Sequence, residues 1–193
     1  MENTTLGPWS LYKPKTFPWA WIPAFTPEEC KKIVEYGSSL DKFYGTAGDI
    51  VDLKYRKSEI AFLPICEESE WIFKKCTDLI LTLNQNYFSL DLTHIELLQF
   101  TKYDSSGEHY SKHTDMSYEK IPQRKLSFSI QLSEPTDYVG GDLIIYLNSH
   151  GTVLNRDQGI MSAFHSYTLH EVVPVTSGVR YSLVGWVLGP NYK

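Results

Sequence analysis

Cysteine is scarce in this 193-residue chain: Cys30, Cys66 and Cys76 are odd in number and far apart. That excludes a disulfide scaffold or a cysteine-rich zinc module and leaves the expectation of reduced, mostly buried thiols. No run of about 18 apolar residues occurs, so no segment suits a bilayer-crossing helix. The start, Met1-Glu2-Asn3-Thr4-Thr5, lacks the basic then apolar texture of a secretory leader, and the expectation is a soluble, cytoplasmic protein with no membrane partner. Positive charge is also in deficit: 18 Lys and Arg face 23 Asp and Glu, giving a formal charge of -5 and a pI near 5.7. Polyanions are therefore not attracted in general, and nucleic acid is disfavoured as a partner. Repeats, low-complexity segments and linkers are missing too. The length supports one buried core and argues against two independent enzymatic domains. We expect a single domain over residues 1–193, with helical support over about 1–93 and a β-core over about 94–193.

What is present is aromatic-rich, at 14% Phe, Trp and Tyr. After an opening with Pro14, Pro18, Trp19, Trp21 and Pro23, the run Thr26-Pro27-Glu28-Glu29 reads as a helix start, with Thr26 as cap and Glu29 as its capping-box partner. Cys30, Ile33 and Val34 share one face of that helix until Gly37 and Ser38-Ser39 close it. A second helix is expected over about residues 68–85, where Trp71, Ile72, Cys76, Leu79, Ile80 and Leu83 recur at helical spacing. From about residue 94 the pattern becomes that of short strands. Leu126, Phe128, Ile130 and Leu132 alternate with Lys125, Ser127, Ser129 and Gln131, which puts the two sets on opposite faces. Further strands are expected over residues 96–103, 142–147, 159–164, 170–175 and 180–187. Helices followed by many short strands imply an α+β fold whose second half is a small antiparallel sandwich or barrel.

The chemistry starts at His113-Thr114-Asp115. In extended chain, residues two apart leave the same face, so an imidazole and a carboxylate can reach one metal ion. Oxygen chemistry at iron needs two imidazoles and one carboxylate on one face, leaving three adjacent positions open. The second imidazole must come from His94, His109, His150, His165 or His170. His170 is preferred because it opens a strand that is followed by a Thr176-Ser177-Gly178 turn and a strand beginning at Arg180, a hairpin that would carry a cation to the metal. Arg180 and Ser182 share a face, so guanidinium and hydroxyl can receive one carboxylate together.

Taken together, Tyr103-x3-Gly107-x2-Tyr110-x2-His113-x-Asp115, Arg124-x-Leu126-Ser127, Tyr138-x-Gly140-Gly141-Asp142-Leu143 and His170-Glu171-Val172-x-Pro174-Val175-Thr176-x-Gly178-x-Arg180-x-Ser182 resemble the Fe(II)- and 2-oxoglutarate-dependent oxygenase superfamily. The likeness is to its prolyl 4-hydroxylase-like branch, in particular the PKHD-type hydroxylases, and it covers roughly residues 95–187. Single pieces such as His-x-Asp are common; their order and the ten-residue step from His170 to Arg180 are specific. The resemblance implies a double-stranded β-helix, a cupin-like jelly-roll, with N-terminal supporting helices. It implies iron on His113, Asp115 and His170, the C5 carboxylate of 2-oxoglutarate on Arg180, and Tyr103 and Ser182 as helpers. O2 and, as reductant, ascorbate complete the implied cofactors. The implied reaction is hydroxylation of an amino-acid side chain, proline in a peptide or protein being the leading substrate, with oxoglutarate converted to succinate and CO2. Arg180 stands where collagen-type relatives carry lysine, which weakens any transfer of a collagen-like substrate. Asp115 argues against halogenation, since halogenating relatives have a small residue there.

Tyr110, Arg124 and Trp186 are expected to line a substrate groove, with Arg124 either facing substrate or bracing Asp115. Each residue has a plainer reading: an isolated histidine is more often a hydrogen-bonded structural group and an isolated arginine a surface charge. His165 reads as a strand-end histidine before a site residue, Glu108 and His109 as solvated loop, and Gly140-Gly141 as a tight turn. Oxidative demethylation of nucleic-acid bases and a non-catalytic binding module are the alternative functions.

Overall fold

The computed structural model describes residues 17–46, 51–116 and 122–191; Met1 to Thr5 and Pro14 of the expected opening lie outside them. In chain order the elements are β1 (Trp19–Pro23), α1 (Pro27–Ser39), β2 (Phe43–Tyr44), β3 (Arg56–Lys57), β4 (Glu59–Phe62) and α2 (Glu67–Leu83), which runs into a π-helical turn (Asn84–Phe88). There follow β5 (His94–Ile95), β6 (Gln99–Asp104), β7 (His109–His113), β8 (Gln123–Gln131), β9 (Tyr138–Gly140) and β10 (Leu143–Tyr146). The last are β11 (Gly151–Val153), β12 (Ile160–His165), β13 (Leu169–Val172) and β14 (Val175–Gly189).

Both helices start where local chemistry dictates. Thr26 Oγ1 accepts from the Glu29 amide at 3.3 Å and the Glu29 carboxylate accepts from the Thr26 amide at 2.8 Å, so two amides otherwise left without partners are satisfied. Glu67, Glu68 and Glu70 place negative charge at the positive end of α2. The buried faces, Cys30 and Ile33 of α1 and Ile72, Cys76, Ile80 and Leu83 of α2, pack with Phe100, Leu126, Phe128, Ile130 and Leu183 into one core. Gly37 is required by that packing, since a Cβ there would meet the Phe100 ring at 2.4 Å.

The strands form two antiparallel sheets. The larger has the order β1-β12-β8-β14-β6-β4-β2, with β5 and β9 also paired to β14; the smaller has the order β11-β10-β13-β7-β3. Helices cover the outer face of the large sheet, and its inner face meets the small sheet in a jelly-roll. The alternation along β8 reads out this layering. Leu126, Phe128 and Ile130 enter the helix-side core, while Ser127 and Ser129 line a cavity between the sheets.

Two features differ from the sequence expectations. The N-terminal half also supplies β1 to β4, which extend both sheets; two-residue strands carry no readable period, and β1 is an edge strand ending at Pro23, where the missing N–H costs no ladder bond. The expected hairpin between His170 and Arg180 is absent. β13 pairs with β10 and β7 in the small sheet, and β14 pairs with β5, β6, β8 and β9 in the large one. The chain changes sheet at Val173-Pro174, and Thr176 to Gly178 lie within β14, where the register shifts and Gly178 has φ +73°. The cation reaches the metal ligands across the sandwich instead of around a turn.

Candidate active site

Strand register builds the ligand set. His113, the last residue of β7, is directly opposite His170 of β13, and their ring centroids are 4.1 Å apart. The chain then leaves β7 and is pinned to the β12–β13 turn: the amides of Asp115 and Met116 both donate to the Ser166 carbonyl, at 2.9 and 3.1 Å. This turns the Asp115 carboxylate toward both rings, 3.6 Å from His113 Nε2 and 3.4 Å from His170 Nε2. One ligand atom from each of the three residues lies within 4.8 Å of the others. Among the described residues this is the one such cluster, and His94, His109, His150 and His165 stand outside it.

The imidazoles are oriented for a metal. Nδ1 of His113 lies 2.8 Å from the Ser111 carbonyl and Nδ1 of His170 2.9 Å from the Thr168 carbonyl, so each Nδ1 carries the proton and donates, leaving an Nε2 lone pair toward Asp115. Burial lowers the pKa of His170, which favours the neutral ligand form. For Asp115 burial acts the other way, but protonated His170 and His113 would lend it charge and a hydrogen bond that outweigh burial and hold the carboxyl well below the usual carboxylate range; a metal cation would take over that role as the rings become neutral ligands. Two neutral imidazoles and an ionised carboxylate on one face are the donor set that suits Fe(II).

The same cavity holds Arg180, which is 1% exposed. Its Nη2 donates to Gln131 Oε1 at 2.5 Å and its Nη1 to Ser182 Oγ at 3.5 Å, while Nε is buried without a partner among the described residues. A guanidinium with only neutral oxygens around it and an unused donor is built for a carboxylate. Tyr103, opposite Arg180 in the β6–β14 register, lies with its ring 5.4 Å from the guanidinium carbon. Burial raises its pKa despite the nearby Arg56 and Arg180, so it stays a phenol able to donate.

The expected substrate residues divide. Tyr110 stacks on His113 with centroids 3.5 Å apart, and Trp186 lines the cavity through its place on β14. Arg124 does not brace Asp115 and is not among the residues that line the cavity. It pairs with Glu96 at 2.5 Å, lies 3.9 Å over the Trp186 ring, and faces an outer groove with Phe62, Ile65 and Leu97. The indole of Trp186 is the wall between that groove and the cavity. Glu108 is not solvated: it is 2% exposed and its carboxylate accepts from the Asp104 amide at 2.9 Å. His109 is part of β7, its ring between the Gly107 and Lys54 carbonyls, each at 3.0 Å. His165 ends β12, stacked on Tyr167 and edge-on to Phe88, away from the cavity. Gly140 and Gly141 have φ of +78° and +65° and form a turn; a Cβ on Gly140 would be 2.2 Å from the Pro174 carbonyl oxygen. Arg56, Gln99 and Phe164 also line the cavity, and no motif marks them; Ser127 lines it too, within the Arg124-x-Leu126-Ser127 motif but with no role assigned from the sequence.

Residues 98–188 match the family model of the 2OG-Fe(II) oxygenase superfamily. That stretch runs from just before β6 nearly to the end of β14. Among curated relatives, a PKHD-type hydroxylase of Prochlorococcus marinus is 38% identical over 90 residues, 47% of this chain and 40% of that protein. Another, from Rippkaea orientalis, is 30% identical over 125 residues, 61% of this chain and 55% of that protein. The chain thus spans about half the length of these relatives. A Pseudomonas putida prolyl-4-hydroxylase structure shares the fold at 20% identity, with TM-score 0.71, covering 90% of this chain and 94% of that one. So does a Trichoplax adhaerens prolyl hydroxylase in complex with a hypoxia inducible factor peptide fragment, at 19% identity and TM-score 0.73, covering 89% of this chain and 84% of that one. Among the described residues no helix is long and apolar enough to cross a membrane.

Proposed function

We propose that this chain is an Fe(II)- and 2-oxoglutarate-dependent dioxygenase that hydroxylates an amino-acid side chain, with proline in a peptide or protein as the leading substrate. The observation that carries the reading is the pairing, in one cavity, of the His113, Asp115 and His170 cluster with the buried, incompletely partnered Arg180. The first three residues hold the metal, and Arg180 with Ser182 and Tyr103 holds the C5 carboxylate of oxoglutarate. Bound iron and oxoglutarate supply O2 activation coupled to decarboxylation to succinate and CO2, by which a substrate C–H becomes C–OH. The protein orients and excludes. Backbone carbonyls fix both imidazole tautomers, the Ser166 carbonyl holds the Asp115 loop, and Val172, Leu143, Phe164 and Trp186 keep the pocket dry. The PKHD-type relatives and the peptide bound to a neighbour of the same fold support the substrate class. We extend the reading to a single domain and to ascorbate as reductant.

The test is a peptide-library incubation with Fe(II), oxoglutarate and ascorbate, read by mass spectrometry for peptides that gain one oxygen, with succinate measured in parallel. Succinate production that needs both Fe(II) and oxoglutarate is expected even without peptide, at a slow rate. No succinate from metal-loaded protein under any of these conditions would refute the proposal.

A further inference from the structure

The four arginines of the chain fall into two classes. Arg124 and Arg156, with side chains about a third exposed, are paired with Glu96 and Asp142. Arg56 and Arg180, 6% and 1% exposed, both line the cavity, and among the described residues neither forms an ion pair. This inverts the ordinary pattern, since burial is what makes an unpaired charge costly and a guanidinium cannot shed its proton. Oxoglutarate accounts for Arg180 under the function proposed above. It cannot also account for Arg56: the formal charges of Fe(II), Asp115, oxoglutarate and Arg180 already cancel, and oxoglutarate's other carboxylate belongs to the metal.

Arg56 is held in place by neutral groups. Nε donates to Ser58 Oγ and Nη1 to the Thr46 carbonyl, both at 3.1 Å, which leaves Nη2 without a hydrogen bond among the described residues. The backbone of Gly45 closes one side, where a Cβ would lie 2.5 Å from the guanidinium carbon. On another side the Tyr110 ring is 4.5 Å from that carbon, and Tyr110 is itself stacked at 3.5 Å on the metal-side ring of His113. The fork is thus fixed one aromatic ring from the metal ligands, with donors to spare.

We propose that Arg56 is a specificity-determining residue that receives a carboxylate of the substrate. This rests on the oxygenase reading and deepens it. An extended chain advances at most about 3.6 Å per residue, so a carboxylate one ring-stack from the ligands sits within about two residues of the carbon that is hydroxylated. Two sources share this chemistry: an acidic side chain next to the target, or the free C-terminus of a short peptide or amino acid.

The experiment uses metal-loaded wild type, Arg56→Gln and Arg56→Lys with proline peptides in matched pairs. One pair has Asp or Asn beside proline, and the other ends in a free acid or an amide; hydroxylation is read by mass spectrometry and peptide-free succinate formation in parallel. Wild type should favour the acid of at least one pair by about tenfold to a hundredfold in kcat/KM, the usual weight of a charged hydrogen bond. Which pair responds identifies the source. Arg56→Gln should bring the ratio close to one, and Arg56→Lys should keep part of it. Equal use of acid and amide by wild type overturns the assignment, a test that stands even if Arg56→Gln fails to fold. An acid preference that survives in Arg56→Gln, or a rise in its oxoglutarate requirement, also overturns it. Wild type that makes no succinate fails the oxygenase reading itself.

Discussion

Replacing Arg180 with methionine should separate cosubstrate binding from metal binding. The side chain is 1% exposed, so a carboxylate docked on it is shielded from water and salt. Near 4 Å and at an effective dielectric constant of about 20, the attraction between the two charges is about 4 kcal/mol. Truncating one partner of such a desolvated pair costs about 2–5 kcal/mol, which at 1.4 kcal/mol per decade weakens oxoglutarate binding by roughly tens- to thousands-fold. Lysine should restore part of this, because the charge returns without the fork. Iron affinity should be unchanged, since Arg180 is not in the ligand cluster. The assay is an anaerobic titration of oxoglutarate into the Fe(II) protein, following the metal-to-ligand absorption band, with iron stoichiometry measured separately. An oxoglutarate constant within about twofold of wild type would break the logic, because it would mean that the incompletely partnered guanidinium serves something else.

Four further outcomes are expected. His113→Ala, Asp115→Ala and His170→Ala should each abolish tight iron binding while His165→Ala keeps it, as read by metal analysis after desalting; the reverse result for the last two would name the wrong histidine. Burial pushes the Cys30 thiol up to about 11 and Cys76 up to about 12, so iodoacetamide should label the half-buried Cys66 first and the others only after unfolding, as seen by peptide mapping. Burial also raises Glu108, so the folded state binds its proton more tightly than the unfolded state; stability is then lost as pH rises from the ordinary carboxylate value through the folded one. Glu108→Gln can still accept from the Asp104 amide, and its melting temperature should equal or exceed wild type at pH 7.5, an advantage that shrinks toward pH 4. Thr26→Ala removes the α1 cap and should cost about 1 kcal/mol in urea unfolding, with the oxoglutarate constant unaffected.

The site was more legible in the sequence than the path that builds it. His113, Asp115, His170 and Arg180 sit in a motif whose order and spacing are specific, and the structure brings all four to one cavity. Cross-strand register with His113 and a crossover between sheets, not the hairpin expected from the sequence, unite the cation and the ligands. Registers between β7 and β13 depend on contacts about sixty positions apart, which no local pattern encodes. The two helices were readable because each carries its apolar stripe within itself, and α1 its start signal as well. Arg56 was invisible for the opposite reason. It occupies a two-residue strand in a half expected to be helical, and only tertiary structure takes it into the cavity.

β14 imposes a length constraint. Arg180, Ser182, Val184 and Trp186 line the cavity at every second position, while Leu183 between them and Val187 just beyond them enter the helix-side core. At about 3.4 Å per residue the strand sets Arg180 and Trp186 some 20 Å apart along one rigid track. A single inserted residue between them would turn every later side chain over, presenting Leu183 or Val187 to the cavity and driving Trp186 against Phe128 and the helices. Point changes along this strand can therefore be absorbed one at a time, but a change of length cannot, and the segment should tolerate drift in identity far better than any insertion or deletion.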